Sequence, residues 1–164
     1  MQILRQLPFR DTPSTVEVAG EVVSVKPYQV IVWVSLSIRE TLEREAPIFP
    51  AVLDTGHNHN FSIAEELLVR WAGIDKQELP KKGAILVNRQ EVPLLSAHLW
   101  IRRNRPRTTE LLPKPYPLQI PEGISVFPDG MPGAPRLPLL GLRGLVRNEL
   151  RLVIGDLRVS LGEH

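Results

Sequence analysis

Ile48-Phe49-Pro50-Ala51-Val52-Leu53-Asp54-Thr55-Gly56 runs an unbroken apolar stretch straight into a carboxylate, a hydroxyl and a glycine. A short apolar run closed by turn-forming residues reads as a strand buried on both faces, so Asp54 stands where such a strand ends. A carboxylate there has a specific chemical use. Two aspartates held face to face cannot both ionise comfortably, so the pair shares a proton. One serves as the base that activates a water, and the other as the acid that meets the carbonyl oxygen under attack. That chemistry needs no metal, cofactor or covalent intermediate. Glycine at 56 has no Cβ and lets backbone approach a partner loop or a substrate closely, while the Thr55 hydroxyl can lock two such loops together. Asp, Thr and Gly are also common turn residues, so the tripeptide by itself is equally compatible with a structural turn.

Outward from this stretch, periodicity predicts a mostly extended chain. Val30, Val32, Val34, Leu36 and Ile38 share one face against Ser35 and Ser37, a period of two. Val16, Val18, Val23 and Val25 flank Gly20-Glu21 as a short hairpin. After the motif, Ser62-Ile63-Ala64-Glu65 has capping-box spacing and predicts a helix through Leu67, Leu68 and Trp71 that stops at Gly73. Ala84–Val87 and Val92–Ile101 read as strands joined around Asn88-Arg89-Gln90-Glu91. That hairpin is a candidate flap over a peptide, and a plain surface hairpin would have the same pattern. Residues 102–122 are basic and then proline-rich, which predicts a long surface loop. Ile124–Phe127 forms a short strand, Leu137–Leu145 is an apolar run broken by Gly141 and Gly144, and Leu150 to Leu161 reads as a terminal hairpin about Gly155-Asp156.

Composition agrees. Sixteen prolines against two methionines in 164 residues disfavour a helical bundle, so the expected class is all-β with one or two short helices, in a single domain over 1–164 with its core at about 15–161. The absence of cysteine excludes disulfides, thiolate metal sites and a cysteine nucleophile. No stretch approaches the roughly 18 apolar residues of a membrane span, and the N-terminus lacks a signal peptide's apolar segment. The expectation is a cytoplasmic protein with no membrane partner.

Taken together, Ala51-Val52-Leu53-Asp54-Thr55-Gly56, the helix-compatible segment after it, the flap-like hairpin, Leu139-Leu140-Gly141 and the C-terminal hairpin occur in an order that resembles the retropepsin-like aspartic proteases, in particular their single-domain bacterial members. The resemblance implies a small closed β-barrel of the acid-protease type. It makes Asp54 the catalytic aspartate, Thr55 a loop-locking residue, Gly56 a backbone contact to substrate, and Leu139, Leu140 and Gly141 the strand and turn that brace the catalytic loop. It also places His57 and Asn58 at a substrate subsite and Asn88, Arg89, Gln90 and Glu91 at the flap. Only one such aspartate motif is present, since Asp11-Thr12 is followed by proline and Asp129-Gly130 lacks the threonine. The implied protein is an aspartic endopeptidase acting on peptide or unfolded protein, with the second carboxylate supplied by a two-fold homodimer. The alternative is a retropepsin-fold dimerisation or peptide-binding module without activity. Two departures bear on that choice. His57 occupies a position where the family commonly has alanine or serine, and Asn58 with Leu142 replaces the acid and arginine that pair in many viral members.

Three other features have weaker functional readings. His57 and His59 alternate and could share a side, but no third metal ligand is apparent, so no metal is expected. Arg102-Arg103-Asn104-Arg105-Pro106-Arg107 is the densest basic run, yet it has no interleaved aromatics and is read as a solvated loop rather than a nucleic-acid contact. Trp33, Trp71 and Trp100 fall on predicted regular elements, where core packing is the ordinary role.

Overall fold

The computed structural model describes residues 1–164. In chain order it forms β1 (Gln2–Pro8), β2 (Ser14–Val18), β3 (Glu21–Val25), β4 (Ile31–Ser37), β5 (Phe49–Asp54), β6 (Phe61–Ala64), α1 (Glu65–Arg70), β7 (Lys81–Val87), β8 (Gln90–Leu95), β9 (His98–Ile101), β10 (Tyr116–Leu118), β11 (Ile124–Phe127), β12 (Leu139–Gly141), α2 (Leu142–Arg147), β13 (Leu150–Gly155) and β14 (Arg158–Glu163). One 3-10 turn, Lys76–Glu78, follows α1 and carries a capping box between Asp75 and Glu78. The class is therefore mostly β with two short helices. No helix is long and apolar enough to cross a membrane.

Nine strands form one sheet in the order β10-β9-β4-β5-β12-β6-β11-β8-β7. Its middle is set by the apolar stretch before Asp54. Phe49 and Ala51 are fully buried and Val52 and Leu53 nearly so, so β5 has no solvent face and sits between β4 and β12. On β4 the expected alternation holds through Val32, Val34 and Leu36, whereas Ile38 lies past the strand end and is exposed. A single cluster of 33 buried side chains joins this sheet to β1 and β14 in one core. At about 1.5–3 kcal/mol for each large apolar side chain fully removed from water, this cluster is the main force holding the fold.

The expected closed barrel is not what the pairing produces. The sheet order is linear, with β10 and β7 as its two edges. Side-chain chemistry at those edges explains the opening. Strand β7 alternates between half-buried and exposed residues, with Leu86 76% exposed, so its hairpin projects beyond the core. Strand β10 is three residues long and contains Pro117, which has no N–H to extend the ladder.

Other expectations are corrected locally. Ser62 does not cap a helix: Phe61–Ala64 is strand β6, held between β11 and β12, and Ala64 precedes the helix without a side-chain cap. The two apolar neighbours of Ser62, Phe61 and Ile63, are fully buried and draw the segment into the sheet. The predicted surface loop 102–122 is also structured. Arg102 and Asn104 are buried, Tyr116–Leu118 pairs with β9, and Leu118 and Ile120 join the core. The basic run spends its charge inside the chain: Arg102 donates to Ser35 Oγ, Arg103 to the Lys114 carbonyl and Arg107 to Gln6 Oε1, while Arg105 pairs with Glu110. Of the tryptophans only Trp71 is fully buried; Trp33 and Trp100 are half-buried. The core extends further toward the N-terminus than residue 15, because Ile3, Leu4 and Leu7 of β1 are buried against β14.

Candidate active site

Strand β5 delivers Asp54 to the end of the central sheet, and the chain then turns away through residues 55–60 before returning as β6. Strand β12 lies between these two arms. It runs parallel to β5, pairing Leu139 with Val52, Leu140 with Leu53 and Gly141 with Asp54, and antiparallel to β6, pairing Leu139 with Ser62 and Leu140 with Phe61. The turn after Asp54 therefore arches over the end of β12. Residues far apart in sequence meet here because both strands are apolar: Leu140 and Phe61 are fully buried, as is Phe49, whose ring meets the Phe61 ring edge to face at 6.4 Å.

Gly141 is the point of closest approach. Its N–H donates to the Asn60 carbonyl at 3.0 Å, and the next N–H, of Leu142, donates to the His57 carbonyl at 2.8 Å. A Cβ at 141 would overlap the His59 carbonyl oxygen and sit 2.8 Å from that of His57. Only glycine fits this contact. Leu139, Leu140 and Gly141 therefore hold the loop after Asp54 through strand pairing, packing and hydrogen bonds.

The carboxylate itself is half-buried. Its Oδ1 accepts the Gly56 N–H at 2.9 Å, and its main-chain carbonyl accepts the His57 N–H at 3.1 Å, a local turn that fixes one carboxylate oxygen. Thr55, Gly56 and Asn58 are exposed beside it. His57 is half-buried, with Nε2 2.7 Å from Ser62 Oγ. Its ring stands edge to face with that of His59 at a centroid distance of 5.3 Å. Burial holds the His57 pKa below the ordinary histidine value, the neighbouring His59 lowers it further, and the Asp54 charge opposes both. His59 is also lowered, first by burial and then by Arg143. Both rings therefore favour the neutral state near neutral pH. No group of three or more His, Cys, Asp or Glu side chains is placed to hold a metal.

The expected flap residues separate into two kinds. Asn88 and Arg89 form a two-residue turn with φ of 50° and 65°, the left-handed pair that matches hairpin twist, while Gln90 and Glu91 already belong to β8. This hairpin reaches the motif loop: Val87 lines a cleft of about 360 Å³ together with Gly56, His57, Asn58 and His59. The long strand predicted over Val92–Ile101 is divided into β8 and β9.

Sequence reasoning missed the support beneath the loop. Asn60 is 3% exposed, and its Nδ2 donates to Glu122 Oε2 at 2.9 Å; Glu122 in turn pairs with Arg147 of α2. The Asn60 hydrogen bond, with smaller contributions from Arg147 and Arg143, holds the Glu122 carboxyl below its usual range. Ser62 was assigned to a cap instead of to His57. No local spacing connects residues 60, 122 and 147, so only the fold reveals this strut. Comparison of the chain with protein-family models, with curated proteins and with solved structures finds no match.

Proposed function

We propose that this chain is a retropepsin-type aspartic endopeptidase that works as a two-fold homodimer, each copy supplying one Asp54. The observation that carries the reading is the register of Gly141 against Asp54, with the turn that follows the aspartate folded over the end of β12. This brace positions a carboxylate at the rim of an apolar sheet, with one oxygen fixed by the Gly56 N–H and the Val87 end of a hairpin lining the adjacent cleft. Facing a second copy, the two carboxylates would share a proton. One would take a proton from water while the other donated to the peptide carbonyl oxygen. An extended substrate would bind between the loop and the hairpin.

One observation favours the second reading, a retropepsin-fold module that binds peptide or dimerises without cleaving. His57 sits close enough to Asp54 for the carboxylate charge to act on it, and it lines the same cleft as Gly56.

A comparison of the wild-type chain with Asp54→Asn on an unfolded protein substrate at mildly acidic pH separates the two. Asparagine preserves shape but can neither share nor accept the proton, so cleavage should fall by at least roughly a hundredfold. Pepstatin should inhibit the wild type. Equal cleavage by both proteins would remove Asp54 from the chemistry, and a folded, dimeric wild type without activity would favour the binding module.

A further inference from the structure

A second cleft, of about 740 Å³, shares no residue with the cleft beside Asp54. Ile31 and Trp33 of β4 and Ile48 line it, and two runs of consecutive residues border it: Leu7 to Arg10, at the end of β1 and just beyond it, and Ser14-Thr15-Val16 of β2. Side chains alternate between the faces of a strand. Ser14 and Val16 lie on one face of the β2–β3 ribbon together with Val25, the partner of Ser14, and Thr15 between them brings the cleft to the edge of β2 that faces away from β3.

That edge is open. Strands β2 and β3 form a two-stranded sheet of their own. Their turn, Ala19-Gly20, has φ of 49° and 78°, so the flanking pair Val18 and Glu21 exchanges hydrogen bonds. Antiparallel pairing alternates. Val16 and Ser14 consequently bond to β3, while the N–H and C=O of Thr15 and Glu17 point away from it. The same alternation turns the Ser24 carbonyl outward on the opposite edge, where it accepts Arg136 Nη2 at 2.8 Å. The other border of the cleft has little to offer a strand: Pro8 has no N–H, the Phe9 N–H is given to the Leu157 carbonyl, and the Arg10 carbonyl accepts from Tyr28. Arg10 is the one charged side chain lining the cleft. The Trp71 and Trp100 indoles donate within the chain, to Glu21 and Ser37, whereas the half-buried Trp33 ring borders open space.

We propose that the free edge of β2 is a strand-addition site for an extended peptide segment of another protein, with alternating apolar side chains and an acidic residue that meets Arg10. The backbone of the peptide pairs with Thr15 and Glu17. Its apolar side chains enter the cleft against Val16, Ile31 and Trp33, the mode in which main-chain bonds give affinity and alternate pockets give specificity. The site does not depend on the chemistry at Asp54.

The test uses the full Asp54→Asn chain, so that cleavage cannot consume the probe. A blocked hexapeptide of alternating valine and threonine with one central glutamate is titrated while tryptophan fluorescence and backbone amide shifts are followed. Saturable binding is expected, with the Thr15 and Glu17 amides shifting most. N-methylation of alternate peptide residues, or Thr15→Pro, should weaken binding by about tenfold, the loss expected for one or two backbone hydrogen bonds. Thr15→Val keeps the backbone donor and should bind like the parent. Proline is tolerated where a strand N–H faces outward; if Thr15→Pro nevertheless unfolds, Arg10→Glu decides, since it should disfavour the glutamate peptide and favour its lysine counterpart. Three outcomes overturn the proposal: no saturable binding, equal binding of the N-methylated peptide, or concentration-dependent self-association abolished by Thr15→Pro, which would give the edge to a second copy of the chain.

Discussion

Replacing Gly141 by alanine adds one methyl group where two carbonyls already converge. The new carbon would overlap the His59 oxygen and lie 2.8 Å from the His57 oxygen, with His57 Cδ2 at 2.9 Å. Backbone, not a flexible side-chain tip, must move. Separating the loop from β12 puts at risk the Gly141 to Asn60 and Leu142 to His57 hydrogen bonds, each contributing about 0.5–1.5 kcal/mol. Overpacking adds about 1–3 kcal/mol, so Gly141→Ala should destabilise the fold by about 2–6 kcal/mol. Urea unfolding followed by far-UV circular dichroism reads this directly. Gly155→Ala is the control, because nothing lies within 4 Å of a Cβ there. It should stay within about 1 kcal/mol of the parent. A Gly141→Ala chain less than about 0.5 kcal/mol below the control would refute the tight brace.

Asn60→Ala removes the hydrogen bond to Glu122 from a buried position and should cost about 1–3 kcal/mol, again by urea unfolding; a neutral result would mean the strut carries no load. The two histidines give a pH signature. Their pKa values are depressed in the folded chain, so the unfolded chain binds more protons and stability falls as pH drops below about 6.5 toward the folded values. His57→Gln with His59→Gln should flatten that fall below about pH 6.5, and an unchanged slope would contradict the assignment. Asp54→Asn, by contrast, should abolish cleavage while leaving the melting temperature within a few degrees, and a collapse of the fold would make it a structural residue.

Regular alternation made β4, the β2–β3 hairpin and the terminal hairpin readable, because alternate apolar residues of each, such as Val32 and Val34, Val18, and Val159 and Leu161, enter the core, although Ile154 near the tip of the terminal hairpin stays exposed. Strand β1 lacks that alternation. Register shifts fall between Gln2 and Leu4 and again between Leu4 and Leu7, and Gln6 has a φ of 46°. Those irregularities break the period of two, so Ile3, Leu4 and Leu7 carry no strand pattern in sequence. Asn104 is similar. It looks like part of a solvated basic run, yet its side chain accepts the Arg5 N–H and donates to the Arg5 and Thr108 carbonyls, partners that only the fold supplies. At the candidate site Asp54 and Gly141 were legible as glycine-marked ends of apolar runs. Ser62 misled because its capping-box spacing competed with the burial of Phe61 and Ile63, and burial prevailed.

The insertion of β12 between β5 and β6 also sets an order of events. Sheet pairings between distant segments close slowly, since a long loop must be ordered before any contact rewards it. Until residues 139–141 dock, the two arms around Asp54 have no strand to span the gap between them. A chain still emerging from the ribosome would thus display the aspartate motif while lacking the scaffold that aims it. Assembly of the site is therefore a late step in folding, and the loop after Asp54 stays unbraced until residues 139–141 have been made.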